Sequence, residues 1–188
     1  MKTEFEVRIL DISFDTMITK LEAVGAKRIG IFFQKRYTYD FTPPRKGNWI
    51  RLRSDGERTT LAIKEKKSQS IDGTKELEII VSDFEDTNLI LEKLGYNATS
   101  FQINFRIKYE LDNAEIDLDK WPMIPPFMEI EGNSKDDVFK ILKIMGISEN
   151  YVTAMDVDTI YKENGIDLNE IPYLNFSDEE KVFINQLK

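Results

Sequence analysis

Lys2-Thr3-Glu4-Phe5-Glu6-Val7-Arg8-Ile9 alternates without a break. Glu4, Glu6 and Arg8 fall on one side, and Phe5, Val7 and Ile9 on the other; a period of two is a strand. The same split recurs along the chain. Arg51 and Arg53 oppose Ile50 and Leu52, and Lys64 and Lys66 oppose Leu61 and Ile63. Glu76 and Glu78 oppose Leu77, Ile79 and Val81, and Arg106 and Lys108 oppose Phe105, Ile107 and Tyr109. Glu115, Asp117 and Asp119 oppose Ile116 and Leu118, and Glu129 and Glu131 oppose Met128 and Ile130. For one strand taken alone, the plain reading is an antiparallel sheet with one wet face. Repeated over so many strands, with full charges grouped by sign in place of Ser, Thr, Asn and Gln, the pattern predicts a sheet that curls with its charges inward.

Amphipathic helices supply what the apolar faces need. Phe14, Met17, Ile18, Leu21 and Val24 recur at helical spacing before Gly25. Ser82 and Asp83 are N-caps for a helix reaching about Leu94 and stopped by Gly95. Ser134 opens a third helix, with Val138, Ile141, Leu142 and Met145, which ends at Gly146. Strands fill the intervals: about 27–40, 49–53, 59–66, 75–81, 101–111, 114–119 and 127–131. Weaker helical signals follow at 156–164 and 177–187, where Ser177 and Glu180 suggest a capping box. The order, with its loose two-fold echo, reads as an α+β fold: an antiparallel eight-stranded barrel or tunnel, charged inside, with helices packed outside. No convincing linker precedes about Val152. The expected organisation is one domain over 1–162 and a helical tail over 163–188.

Composition narrows the chemistry. The chain has 188 residues, 26 Lys plus Arg against 34 Asp plus Glu, and no His or Cys. That excludes disulfide scaffolds, Cys/His zinc sites, cysteine nucleophiles and any imidazole base. A metal would be held by oxygens, which favours Mg²⁺, Mn²⁺ or Ca²⁺. A net charge of −8 and a pI near 4.8 argue against a general nucleic-acid binder. No apolar run suits a membrane span, and the first residues show no signal core, so no membrane partner and a cytoplasmic location are expected. A barrel lined by Arg and Lys calls for an anionic guest. Carboxylates crowded beside them call for a divalent cation, because like charges held together repel. Together these suit a metal–polyphosphate site.

These motifs, in this order, resemble the CYTH superfamily, or triphosphate tunnel metalloenzymes, over about residues 1–162. The family's ExExK strand is matched by Glu4-Phe5-Glu6-Val7-Arg8, with Arg for Lys. Its paired-Arg strand is matched by Ile50-Arg51-Leu52-Arg53, its tunnel-Lys strand by Leu61-Ala62-Ile63-Lys64, and its acidic strand by Glu76-Leu77-Glu78. Arg106-Ile107-Lys108, Ile116-Asp117-Leu118-Asp119 and Phe127-Met128-Glu129-Ile130-Glu131-Gly132 complete the set. The first half and the Trp121-Pro122 to Pro125-Pro126 segment look most like the class IV adenylate cyclase branch.

The resemblance implies an enzyme that uses Mg²⁺ or Mn²⁺ on a small molecule carrying a triphosphate, converting ATP to cyclic AMP and pyrophosphate. Its alternatives are a triphosphatase acting on inorganic triphosphate, a nucleoside triphosphate or thiamine triphosphate, and a non-catalytic polyphosphate- or nucleotide-binding module, as monomer or homodimer. It implies metal ligation by Glu4, Glu6, Asp117, Asp119, Glu129 and Glu131. The triphosphate would be clamped by Arg8, Arg51, Arg53, Lys64, Arg106 and Lys108. Catalytic roles would fall to Arg8, Lys64, Glu76 and Glu78, the two glutamates orienting bases, binding a second metal, placing a water or simply salt-bridging. Arg8 departs from the motif: it binds phosphate bidentately but cannot serve as a base. Lys66 and Glu115 read as solvated rim charges, and Tyr161 as a residue closing the tunnel or a surface-packed aromatic.

Overall fold

The computed structural model describes residues 1–187. Its strands are β1 (Lys2–Ile9), β2 (Lys27–Asp40), β3 (Asn48–Ser54), β4 (Thr59–Lys66), β5 (Thr74–Val81), β6 (Ser100–Leu111), β7 (Ala114–Lys120), β8 (Phe127–Gly132) and the short β9 (Tyr173–Leu174). Five α-helices lie between and after them: α1 (Phe14–Ala23), α2 (Phe84–Lys93), α3 (Lys135–Ile144), α4 (Val157–Glu163) and α5 (Asp178–Gln186). The strands follow the order β2-β3-β4-β5-β1-β8-β7-β6, and antiparallel pairing of β2 with β6 closes the ring. This is the expected eight-stranded α+β barrel. β9, which periodicity does not announce, adds a two-residue parallel pairing to the start of β6.

β1 joins the halves of the barrel. Lys2, Thr3 and Glu4 pair with β5, whereas Phe5 to Ile9 pair with β8. The strand therefore changes neighbours between the two glutamates of its charged face. Glu4 stands beside Thr74 and Glu6 beside Glu131.

The apolar core lies outside the ring. Val7, Phe105, Ile107, Ile116, Leu118, Met128 and Ile130 turn outward and are buried by side chains of α1, α3 and α5, among them Phe14, Leu21, Val138, Ile141 and Ile184. On the other flank, Phe84 and Leu91 of α2 cover Tyr39, Ile50 and Leu52. Ser13, Asp83 and Ser134 accept from the backbone N–H three residues on and so start these helices. The Ser177–Glu180 capping box forms as expected. Among the described residues no helix is long and apolar enough to cross a membrane.

A third cluster, with Trp121, Ile124, Phe127, Ile160, Tyr161 and Leu174, fastens α4 and the following segment to the barrel. Phe176 and Ile184 are buried as well. The buried Lys120 Nζ donates to the carbonyls of Trp121 and Ile124 and to Glu180 Oε1 at 2.7 Å. Glu180 also accepts from the Met123 and Ser177 backbone N–H groups. Glu180→Ala deprives these donors of their acceptor and is expected to lower unfolding free energy by about 1–3 kcal/mol in urea titrations. Unchanged stability would show that α5 contributes nothing through this contact.

Candidate active site

Every charged residue singled out by alternation lines one cavity of about 1820 Å³ inside the barrel. Glu4, Glu6 and Arg8 enter it from β1, Arg51 and Arg53 from β3, Lys64 from β4, and Glu76 and Glu78 from β5. Arg106 and Lys108 enter from β6, Asp117 and Asp119 from β7, and Glu129 and Glu131 from β8. The register explains this convergence. The inward positions are the even-numbered residues of β1, β4, β5 and β6 and the odd-numbered ones of β3, β7 and β8, and antiparallel pairing sets them rung against rung.

The charges neutralise one another across neighbouring strands. Arg106 grips both oxygens of Asp119, from Nε at 2.8 Å and Nη2 at 2.6 Å, and reaches Asp117 from Nη1 at 2.5 Å. Arg8 donates to Glu129, to Glu6 at 3.2 Å and to the Met155 carbonyl at 2.7 Å. Arg51 holds Glu76 and Glu78, each at 2.9 Å, and Arg53 lies 3.4 Å from Glu78. Lys64 sits 2.9 Å from Glu4 and 3.6 Å from Glu76.

Burial and pairing divide the carboxylates. Burial opposes ionisation of Glu129, but Arg8 and Arg106 outweigh it and hold its carboxyl at about 2. Burial pushes Asp117 up to about 7 despite Arg106, with Asp119 and Glu129 adding repulsion. Burial likewise raises Glu131 to about 7, reinforced by Glu129 and Glu6. Glu4 is raised to about 8 by burial even though Lys64 opposes the rise. Burial works against the charge of Arg8, yet Glu129 and Glu6 hold its guanidinium above the ordinary arginine range. On the opposite wall the repulsion is between cations: Arg51, then burial, brings Arg53 down to about 10.

The six carboxylates expected to bind metal share the cavity but do not form one cluster. Among the described residues, no three acidic side chains are arranged around a common ion position. Glu4 turns to Lys64, Glu6 and Glu129 to Arg8, and Asp117 and Asp119 to Arg106. Glu131 faces Glu6 and Glu115 in register and has no ion pair among the described residues. In donor chemistry the set fits a hard dication, since Glu6 and Glu131 stand opposite each other on adjacent strands and Glu129 lies two residues along from Glu131, all supplying carboxylate oxygens. The near-neutral Glu131 is the group that such an ion would ionise.

Three lesser expectations meet the structure differently. Glu115 is a rim charge, half exposed and paired with Lys108. Lys66 is not: its side chain is 12% exposed and bonds Asp156 at 2.8 Å, tying β4 to the cap of α4. Tyr161 neither lines the tunnel nor lies on the surface. It is fully buried, sets its ring edge-on to Trp121 and donates to the Pro122 carbonyl at 2.6 Å. Asp156, Val157 and Asp158 line the cavity at that end instead.

Further inward residues lie outside the alternating charged pairs. Gln34 and Arg36 of β2 and Trp49 of β3 line the cavity, and the fully buried Asn104 of β6 lies behind Arg36 and Asp119. Spacing two from Arg51 to Trp49 and from Arg106 to Asn104 carries the signal, but it lies in mixed polar and aromatic company.

A profile of the CYTH domain matches residues 2–152. The chain belongs to the CYTH family, whose triphosphate tunnel is the barrel described here. Among solved structures it resembles the PH1012 protein of Pyrococcus horikoshii OT3, with TM-score 0.71, 22% identity, and 84% of this chain and 98% of that one covered. It also resembles a proposed adenylate cyclase of Vibrio parahaemolyticus, with TM-score 0.72, 13% identity and coverage of 86% and 98%. HpAC1 of Hippeastrum, a proposed adenylyl cyclase described as having a dominant triphosphatase activity, matches with TM-score 0.57, 14% identity and coverage of 88% and 97%. Identities this low show a shared fold. No curated protein matches the chain.

The raised carboxyls give a pH signature. Carboxyls that titrate near 7–8 when folded and near 4 when unfolded hold protons that the unfolded chain has released. The folded state then binds more protons between these limits, so stability falls as pH rises. Melting temperatures of the protein without added ligand are expected to drop between about pH 5 and pH 8, and the drop should shrink in Glu131→Gln. Glu129 acts oppositely, its contribution being lost below about pH 4. A melting temperature that climbs from pH 5 to pH 8 would contradict the assignment.

Proposed function

We propose that the tunnel is a divalent-cation-dependent catalytic site for an organic triphosphate, with ATP the first substrate and cyclic AMP and pyrophosphate the products. The observation that carries this reading is the uneven sharing of charge round the tunnel, to which Arg8 of β1 and Glu76 and Glu78 of β5 are the exceptions. Arg36, Arg51, Arg53 and Lys64 stand on β2, β3 and β4, while Glu4, Glu6, Asp117, Glu129 and Glu131 stand on β1, β7 and β8. β2 and β1 are four strands apart either way round the ring, so the two sets face each other. Cations on one side suit phosphate oxygens, and oxygens on the other suit the metal that accompanies them.

Trp49 favours an organic substituent. Its half-buried ring lines the cavity one rung beyond Arg51, next to Lys64 in register. A base or other flat ring stacks there while its phosphates lie among Arg51, Arg53 and Arg106. Glu6, Glu129 and Glu131 would hold Mg²⁺ or Mn²⁺, with Glu4, Asp117 and Asp119 in reserve beside Lys64 and Arg106. The metal would supply Lewis-acid charge to the phosphate chain.

The chain's own residues do the rest. Phosphoryl transfer needs position and charge more than covalent help. Arg51, Arg53, Lys64, Arg106 and Lys108 supply both, and Glu76 and Glu78 hold Arg51, Arg53 and Lys64 in place. Arg8, gripped by Glu6, Glu129 and the Met155 carbonyl, adds charge from the wall and takes no proton. For cyclisation, the ribose 3′-oxygen bonds to the α-phosphorus, the bond to the bridging oxygen breaks, and pyrophosphate departs. The hydroxyl proton passes to a carboxylate poised near neutrality, a role that Asp117, outside the metal-holding trio, suits.

Hydrolysis is the second reading. The same poised carboxylate can take a proton from water, and the Hippeastrum protein described above is reported to have a dominant triphosphatase activity. Purified protein is to be given ATP and inorganic triphosphate in turn, with Mg²⁺ or Mn²⁺. Cyclic AMP with pyrophosphate supports the first reading and released orthophosphate the second. Binding without turnover would leave a binding module.

Two variants test the residues. Arg106→Met is expected to cut turnover by roughly 10²–10³, the scale of one preorganised charge contact. Trp49→Ala is expected to raise KM for ATP while leaving turnover of inorganic triphosphate unchanged. Equal losses on both substrates would remove the stacking role.

A further inference from the structure

Arg36 differs from the other inward arginines of the barrel. Arg8, Arg51, Arg53 and Arg106 each hold one or more carboxylates. Arg36 is only 7% exposed and has no ion pair among the described residues. Its Nη2 donates to the amide oxygens of Gln34, at 2.9 Å, and Asn104. Its Nε, like those of Arg8 and Arg51, is buried without a partner, and its Nη1 donates to nothing among the described residues. The guanidinium lies over the Trp121 ring, 4.4 Å from the centroid.

The nearby acid is already committed. Asp119 accepts from Arg106 Nε and Asn104 on one oxygen and from Arg106 Nη2 on the other. Meanwhile Arg36 stands opposite Arg53 in register on β3. Burial, then Arg51, Arg53 and Arg106, push its pKa well below the ordinary arginine value, with Asp119 opposing. A buried cation beside three others, held in one plane by two amides and an indole, is costly unless an anion meets it.

We infer that Arg36 and Arg53 form a phosphate subsite on the tunnel wall opposite β1, in which Arg36, oriented by Gln34, Asn104 and Trp121, directly contacts a phosphoryl group of the substrate. The inference rests on the reading that the tunnel binds a triphosphate, and it adds a contact that the alternating charged pairs do not reveal. Nη2 is taken up by the two amides and Nε is sealed from the tunnel, so Nη1 is the donor left to meet an oxygen of the phosphoryl group. Arg53, on the neighbouring strand, adds a second cation to the same group. Asn104 links this subsite to Asp119 and so to Arg106, so the cations of β2 and β6 are positioned by one hydrogen-bonded chain.

The test separates ligand binding from folding. Wild type, Arg36→Met and Arg36→Lys are titrated calorimetrically with inorganic triphosphate in Mg²⁺, and each is melted with and without it. Wild type is expected to bind and to gain melting temperature. Arg36→Met should bind on the order of 10²-fold more weakly. It should melt about 2–4 °C higher than wild type in the absence of triphosphate, because an uncompensated buried charge has been removed. Arg36→Lys should recover part of the affinity. If wild type binds triphosphate and Arg36→Met binds it equally well, the subsite is refuted while the tunnel reading stands. If Arg36→Met loses affinity but melts below wild type without ligand, Arg36 is a structural residue and the subsite is again refuted. If wild type itself binds no triphosphate, the reading of the tunnel fails first.

Discussion

The pairing of buried charges across neighbouring strands governs this molecule. An eight-stranded barrel ordinarily fills its interior with side chains that pack. Here the interior carries guanidinium, ammonium and carboxylate groups, and removing any of them from water is costly unless a partner is in reach. Register supplies the partners. Arg106 meets Asp119 and Arg8 meets Glu129 as direct cross-strand neighbours, while Lys108 reaches one rung along β7 to Glu115. A slip of one residue in any strand would turn its charges out against the helices and its aliphatic residues into the tunnel. The electrostatics thus fix the register as firmly as the core does.

The same constraint moves the hydrophobic core outside. Because the ring's interior cannot supply apolar burial, the outer faces of β1, β6, β7 and β8 must, and they do so only where α1, α3 and α5 cover them. The helices are therefore part of the barrel's stability and not decoration around it. The C-terminal segment belongs to this scheme: Leu174, Phe176 and Ile184 are buried against barrel or helix, and the Lys66–Asp156 pair joins α4 to the tunnel wall.

What could be read from the sequence follows from what alternation encodes. A period of two places a charge on the inward face, so the strands, the barrel and the charged lining were legible from residues such as Glu4, Arg51 and Glu129. Helix starts were legible because Ser13, Asp83, Ser134 and Ser177 act locally. The pairing pattern was not legible, since it depends on which strands become neighbours: nothing in Glu131 itself says that it lacks the cation Glu129 has. Arg36 was hidden for a related reason. β2 carries aromatic residues on both faces and a register shift between Arg28 and Gly30, so one arginine between Gln34 and Thr38 gives no charged pair to notice. Tyr161 misled because an aromatic on a short terminal helix looks peripheral until Trp121 and Pro122 are folded against it.

Arg8 shows how the pairing rule bears on chemistry. The family's first-strand motif ends in Lys, and a lysine there has one nitrogen with which to serve a phosphate or take a proton. Arg8 instead spreads its fork over three acceptors on three parts of the chain: Glu6 on its own strand, Glu129 on β8 and the Met155 carbonyl beyond α3. A backbone bridge to Thr153 runs alongside. An ammonium is a point charge and cannot satisfy such a spread with planar geometry. The guanidinium is held above its ordinary range by the two glutamates, so it stays charged at any working pH. Its consequence for the site runs through Glu129: by keeping that carboxylate ionised beside the near-neutral Glu131, Arg8 gives two neighbouring acids on one strand different protonation states. Similar acids acquire different strengths when their environments are pushed apart in this way, and here one arginine on β1 helps to separate them.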